Sequence, residues 1–453
     1  MASTYLNKTF STTGDRQKFT LSMWVKRGIV PVGNQSGTER MLFNAYQDSS
    51  NQDQIWLQSN GTINYVRNNA NAVTPSQVLR DPAAWYHVVF AGDTTQGSNA
   101  DRLKVYINGT QAPIGQQDTI TQGSNFGAIN NAQLSTFGRR NGSNDWYFDG
   151  SMANIEMVDG QQYGPEYFGS TDTATGIWKP GGSSAISSYG TNGFKLKMDT
   201  TSPGADTSGN TNTFTASGTP TLTQGSPSNN WCTMNPIVYS GTSGQPVFSN
   251  GNTTVSATGI GGWHPAFGSI GVTSGKWYFE TKVIGYNHCV VGIANETGTY
   301  NTVTSGFPPS QPYSYGIVCY DLGKKETNNS RTVYGSQTNI TDGQIIGTAI
   351  DLDNNKLYWS VNGTFKNSGD PTSGSTGTGS AFSLQAGETY FPMVVGNIGG
   401  GSNPAGGNLN FGEGFFGTTA AGTEADDNGQ GLFAYDVPAG YYALNTKNLE
   451  AYG

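Results

Sequence analysis

The sequence predicts an all-β protein: two tandem antiparallel β-sandwiches with linkers rich in Gly, Ser and Thr. Three observations predict the β class and its turn-rich linkers. Apolar residues recur with period two rather than 3.6. Asn-Gly pairs separate alternating segments at three places. Glycine fills 64 of 453 positions and charged residues only 12%, about half the ~25% of an ordinary soluble domain, a composition suited to short strands and many turns. The length fits about three average domains or two large β domains.

The alternating runs come in order along the chain. Phe19–Lys26, Arg102–Ile107 and Lys276–Val283 each place one set of side chains on a core face and the other set outward. Asn60-Gly61, Asn108-Gly109 and Asn362-Gly363 sit between such runs and predict two-residue type I′ turns, because Asn and Gly tolerate positive φ. Thr follows each pair, where a β-branched residue suits the returning strand. No long amphipathic helix is expected. The stretches 181–193, 200–230 and 369–380 are rich in small polar residues, and the second carries Ser202-Pro203, Thr219-Pro220 and Ser226-Pro227. The expected division is a first sandwich over residues 1–200, a linker over 201–240 and a second sandwich over 241–414. The segment 415–453, ending in an aromatic run, is expected to dock on the second domain or on a neighbouring subunit.

Several functions are disfavoured at this level. No apolar run approaches the ~18 residues of a membrane span, and the start of the sequence has no charged and apolar leader pattern, so neither membrane insertion nor export is expected. A net charge of −8 with scattered Lys and Arg argues against nucleic acid. Cys232, Cys289 and Cys319 form no CxxC pair and are expected as buried free thiols.

The first half resembles the laminin G-like branch of the concanavalin A-type lectin/glucanase sandwiches. The resemblance rests on Phe19–Lys26, Trp85–Phe90, Arg102–Gly109, Phe137–Arg140 and Trp146–Ala153, and covers residues 1 to about 170. Phe194–Met198 is expected to return to the same sandwich. The second half resembles a SPRY domain over about 245–412, through Gly275–Glu280, Val291–Ala294, Tyr313–Gly316, Asp342–Asp353, Leu357–Gly363 and Tyr390–Val394. The two modules in this order, with a joining stretch at Ser226–Pro236, look like tail or capsid-surface proteins of marine-type bacteriophages. That resemblance implies a virion protein assembled in the host cytoplasm, with other virion proteins as partners, a homo-oligomeric state, and attachment to host-surface glycan or protein. A purely structural spacer or capsid-cement subunit and a glycan depolymerase are the alternatives, since a fold alone does not fix a function.

Retaining glycoside hydrolysis needs two carboxylates about 5–5.5 Å apart, and the family's Glu-x-Asp-x-x-Glu pattern is missing. Asp145, Asp149 and Glu156 are the nearest approach. No Gly-x-Ser-x-Gly, His-Glu-x-x-His or phosphate-loop motif occurs. Gly412–Gly417 satisfies Gly-x-Gly-x-x-Gly but precedes no helix-forming run. Asp351–Asn355 opens like a calcium loop, yet Lys356 and Asn362 stand where Gly and Glu are needed, so a turn is expected. The chain is expected to be no enzyme and to hold no cofactor. The laminin G-like resemblance leaves calcium open, with Asp149 and Asp159 as ligands. His87 is expected to pack within a strand, His264 to lie in a turn and His288 in a strand, with no zinc-ligand spacing.

Recognition remains. Aromatic rings on loops stack on sugar C–H faces, and Tyr46, Trp146, Trp263, Tyr300, Tyr313 and Tyr315 fall in loop-like surroundings. Abundant Asn, Ser, Thr and Gly suit uncharged hydrogen bonding beside them.

Overall fold

The computed structural model describes residues 4–28, 39–182, 185–199, 202–238, 245–257, 262–297, 311–397 and 405–453. The chain divides into two units, residues 1–222 and 223–453, each built on two antiparallel sheets.

In the N-terminal unit one sheet has eight strands in the order Ile114–Gln117, Ala70–Pro75, Ile63–Arg67, Asn51–Leu57, Arg40–Asp48, Leu134–Phe137, Tyr5–Thr9 and Thr215–Ser217. The other has six: Phe194–Leu196, Gly150–Asp159, Lys18–Arg27, Tyr86–Asp93, Leu103–Ile107 and Thr110–Gln111. Alternation puts Phe19, Leu21, Met23 and Val25 into the core against Phe43, Ile55, Ile63 and Tyr65. The predicted return strand is present, with Ile155 opposite Leu196. The strand Lys18–Arg27 is buried on both faces. Its outward side is covered by the segment after Asp159: Thr20 Oγ1 donates to the Gln161 carbonyl at 2.8 Å, and Phe168 packs on Val89 and Val158.

In the C-terminal unit the larger sheet runs Val247–Ser249, Thr254–Ser256, Gly406–Asn410, Lys276–Ile284, Ile345–Asp351, Lys356–Val361 and Thr364–Phe365, with two short strands added at its sides. The smaller runs Trp263–Phe267, Tyr390–Asn397, Val290–Asn295, Ser314–Val318, Lys324–Thr327 and Ser330–Thr332. Trp277, Phe279, Ile350, Leu357 and Trp359 meet Val291, Ile293, Ile317 and Val394 in its core. All three cysteines are buried free thiols, and Cys319 N–H donates to the Cys289 carbonyl at 3.0 Å.

The far face of the larger sheet is covered by the end of the chain. Trp231, Tyr278, Ala349, Tyr358, Phe433, Tyr441 and Ala443 form a separate apolar cluster there, and Tyr442–Ala443 pairs in parallel with Trp277 and Tyr278. Glu280 is buried under this cover. Its carboxyl accepts from Ala434 N (2.9 Å), Tyr435 N (3.0 Å) and Asn410 Nδ2 (3.2 Å). Burial outweighs these donors and pushes its pKa up to about 7. The final helix, Thr446–Tyr452, is capped by Asn445, whose side chain accepts from Asn448 N at 3.0 Å.

Three expectations are corrected. Residues 201–240 are not a free linker: Thr215–Ser217 closes the edge of the eight-stranded sheet against Tyr5–Thr9, while Trp231, Cys232 and Met234 are buried in the C-terminal unit. Single large side chains anchor a stretch too polar to show periodicity. Of the three Asn-Gly hairpins, 108–109 and 362–363 take the I′ geometry, with both φ values positive. At Asn60-Gly61 only Gly61 has positive φ, and Gly61 N–H donates to the Gln58 carbonyl at 3.0 Å, giving a type I turn that ends in a glycine bulge. Asn-Asn pairs make the equivalent positive-φ turns at 68–69 and 328–329. His264 lies inside the strand Trp263–Phe267 and is buried, not in a turn.

Candidate functional site

The outward face of the eight-stranded sheet gathers aromatic and amide side chains. Phe43, Ala45, Ile55, Leu57, Ile63 and Tyr65 point into the core, so Asn44, Tyr46, Gln54, Trp56 and Asn64 point the other way. A turn after the strand Leu134–Phe137 brings Trp146 onto this face. Arg140 N–H donates to the Asp145 carbonyl at 3.0 Å, Trp146 has φ of 52°, and its carbonyl accepts from Met41 N at 2.9 Å. The indole then meets Trp56 edge-on, with ring centres 5.2 Å apart. The Arg140 guanidinium lies 3.8 Å over the Trp146 ring and is held there by Asp145 through bonds of 2.7 and 2.5 Å. Tyr46 leans on Gly142, where an added Cβ would stand 2.9 Å from the phenol oxygen.

Amides continue the face. Asn141 N–H donates to Asn44 Oδ1 at 2.8 Å, and Gln54 Nε2 to Gln52 Oε1 at 2.7 Å. Asn64 stands directly across the ladder from Trp56, is 1% exposed, and has neither Oδ1 nor Nδ2 hydrogen-bonded. The neighbouring strand's Thr74 Oγ1 is likewise buried without a partner. Unpaired buried amides are rare and each asks for an explanation.

A serine–histidine pair lies elsewhere in the unit but has the wrong polarity for nucleophilic catalysis. Ser22 Oγ is 2.8 Å from His87 Nε2, and Trp178 Nε1 donates to His87 Nδ1 at 2.9 Å. With Nδ1 accepting, the neutral ring carries its proton on Nε2 and donates to the serine, so it cannot take the serine's proton. The imidazole stacks on Trp24, with ring centres 4.8 Å apart, and meets Trp178 edge to edge through that hydrogen bond. Burial pushes its pKa down to about 3.

The acids do not assemble. Asp145 is committed to Arg140, and Glu156 to Lys195 (3.0 Å) and the Tyr189 hydroxyl (2.5 Å). Asp149 and Asp159 stand at opposite ends of the strand Gly150–Asp159; at ~3.3 Å per residue they are about 30 Å apart and cannot share a calcium ion. Asp159 instead accepts from Asp15 N and Asn192 N. Among the described residues no three His, Cys, Asp or Glu side chains gather as metal ligands.

Of the six aromatic candidates, the structure brings Tyr46 and Trp146 to one face, Tyr46 from within the strand Arg40–Asp48 rather than from a loop. Trp263 belongs to a strand of the C-terminal unit, stacked 6.1 Å from Tyr320, rather than to a loop. Tyr315 is also corrected: it lies in the strand Ser314–Val318, is 7% exposed, and packs 5.1 Å from Phe382. Tyr313 is exposed (38%) with φ of 61°. Tyr300 lies outside the described residues. Sequence reasoning missed Trp56, Asn64 and Arg140. The signal was present in Gln52-x-Gln54-x-Trp56, an indole in period-two register with glutamines opposite Ile55 and Leu57.

Residues 2–161 match the family described as the concanavalin A-like lectin/glucanases superfamily. No curated protein matches the chain. Among solved structures, the SPRY domain of human HERC1 is similar at 18% identity and a TM-score of 0.29, over 39% of this chain and 94% of that one. A heptameric SAP-like pentraxin from Limulus polyphemus is similar at 16% and 0.27, over 36% of this chain and 72% of that one. A Bacteroides ovatus protein proposed to bind carbohydrate is similar at 15% and 0.32, over 48% of this chain and 58% of that one. The N-terminal unit thus carries a concanavalin A-like lectin/glucanase domain, within a chain of antiparallel sandwiches.

Proposed function

We propose that the protein binds glycan without cleaving it, through the outward face of the eight-stranded sheet, and serves as an attachment subunit on the exterior of a bacteriophage particle. The Trp56–Trp146 pair carries this reading, with Arg140 stacked on it and the unsatisfied Asn64 amide beside it. Indoles present flat apolar surfaces to sugar C–H faces, while guanidinium and amide groups bond hydroxyls. The lectin-type domain supports the ligand class. The order of the two modules, as in phage tail and capsid-surface proteins, supports the setting. Many copies on one particle would convert weak single-site contacts into firm attachment.

The test is binding of the full chain to a glycan array and to whole bacterial cells. Trp146→Ala and Trp56→Ala are expected to lower affinity about tenfold or more, the loss typical of an aromatic anchor, with circular dichroism confirming the fold. Unchanged binding by both variants removes this face from the function. Release of reducing ends from a bound polysaccharide contradicts the non-enzymatic reading.

A further inference from the structure

We propose that the C-terminal unit holds a second binding site, for a carboxylate carried on a polyhydroxylated ring, in the cavity beside Lys366. The cavity is about 500 Å³, within the ~300–1,000 Å³ range of small-molecule sites. Its walls are the loop around Ser336 to Ile340, the hairpin end at Val361 and Thr364, and the turn Lys366–Ser368.

Lys366 is the reason for the carboxylate. It is 6% exposed, its ammonium donates only to the Ser336 carbonyl at 2.7 Å, and it has no ion pair among the described residues. Lysine is almost never buried unless paired. Burial alone lowers its pKa, with no anion countering it. An ammonium offers three donors, so two remain for a ligand. The backbone that holds it is strained: Asn367 and Ser368 have φ of 57° and 50°. Asparagine tolerates this region, but a left-handed serine persists where the surroundings enforce it, and such residues concentrate at ligand clamps.

The rest of the lining selects the ring. Phe365, Ile340 and Val361 give an apolar floor. Thr338, Thr364 and Asn367 place hydroxyl and amide groups around it that have no side-chain hydrogen bond among the described residues. Apolar floor, neutral polar rim and one cation together describe a uronate-type sugar. The site does not rest on the aromatic face of the N-terminal unit.

The full chain is to be titrated with glucuronate, glucose, glutarate and polygalacturonate, followed by calorimetry and by amide NMR shifts. Glucuronate is expected to bind saturably and to shift amides of residues 335–340 and 364–368. Glucose and glutarate should each bind about tenfold more weakly or worse, the factor carried by one lost charge-assisted bond or by the lost ring contacts. Lys366→Met should lose glucuronate about tenfold or more without a fall in melting temperature, since it removes an unpaired buried charge. Asn367→Asp, which sets a carboxylate at the mouth, should weaken glucuronate and leave glucose unaffected. Binding of polygalacturonate together with the free acid, or of the polymer alone, supports the site and separates a free acid from a polysaccharide source. Equal binding of glutarate or glucose, full retention by Lys366→Met, or no saturable shift with any probe overturns it.

Discussion

Asp53→Ala is expected to destabilise the N-terminal unit by about 4 kcal/mol or more, a large share of the ~5–15 kcal/mol that holds a typical domain together. The Asp53 carboxylate is fully buried in the strand Asn51–Leu57. It accepts from three successive backbone amides, Gly127 (3.1 Å), Ala128 (2.6 Å) and Ile129 (2.7 Å), and from the Tyr65 hydroxyl (2.5 Å). Alanine leaves those donors buried without an acceptor, at ~1–3 kcal/mol each. It also frees the loop that carries Phe126, Ala128 and Ile129 into the core. Asp53→Asn keeps one acceptor oxygen and should retain part of the loss. Urea unfolding of the variants checks both; an alanine variant within about 1 kcal/mol of the parent contradicts the role.

The two units should answer pH in opposite directions. His87, in the N-terminal unit, is held neutral in the fold with its pKa near 3, while the unfolded chain protonates near 6.5. Its stabilising effect is therefore complete above pH 6.5 and is lost as pH falls toward 3, on the order of 4–5 kcal/mol across that window. Glu280, in the C-terminal unit, titrates near 7 in the fold against 4.5 when unfolded. Its contribution is complete below pH 4.5 and is lost as pH rises through 7, about 3 kcal/mol. Calorimetry across pH 4–8 should show His87→Gln flattening the acid limb and Glu280→Gln flattening the neutral limb. An unchanged pH profile in either variant removes that residue from the effect.

Asp53 and His87 mark where the sequence stops being informative. Strands and hairpins follow from period two and from residues that tolerate positive φ, both local properties, while the order of the sandwiches rests on the family resemblances of the two halves. Lys276–Val283 reads directly into the strand Lys276–Ile284. Asp53 is different, because its backbone donors lie 74 to 76 residues away. His87 likewise becomes a buried ring fixed by the indole N–H of Trp178, 91 residues on. The site follows the same division. Trp146 sits in a turn, so its loop-like setting was visible, whereas Tyr46 lies within the strand Arg40–Asp48 rather than in a loop. Trp56 was passed over because it lies within a strand, and only the partner strands show which of its faces is outward. Tyr315 misled in the opposite sense: a short Tyr-Ser-Tyr-Gly run looks like a loop, yet it starts a core strand once Ala294 pairs with Ser314.

The apolar cover laid over the larger sheet of the C-terminal unit sets a schedule for biosynthesis. Glu280 and Ala434 are 154 residues apart, roughly 8–30 s of translation at about 5–20 residues per second. During that interval the Tyr278 and Tyr358 side of the nascent sheet stands bare to water and to chaperones. Ribosomes that stall before Phe433 release chains that can never shield it, and such fragments are candidates for rapid proteolysis or clumping rather than for partial use.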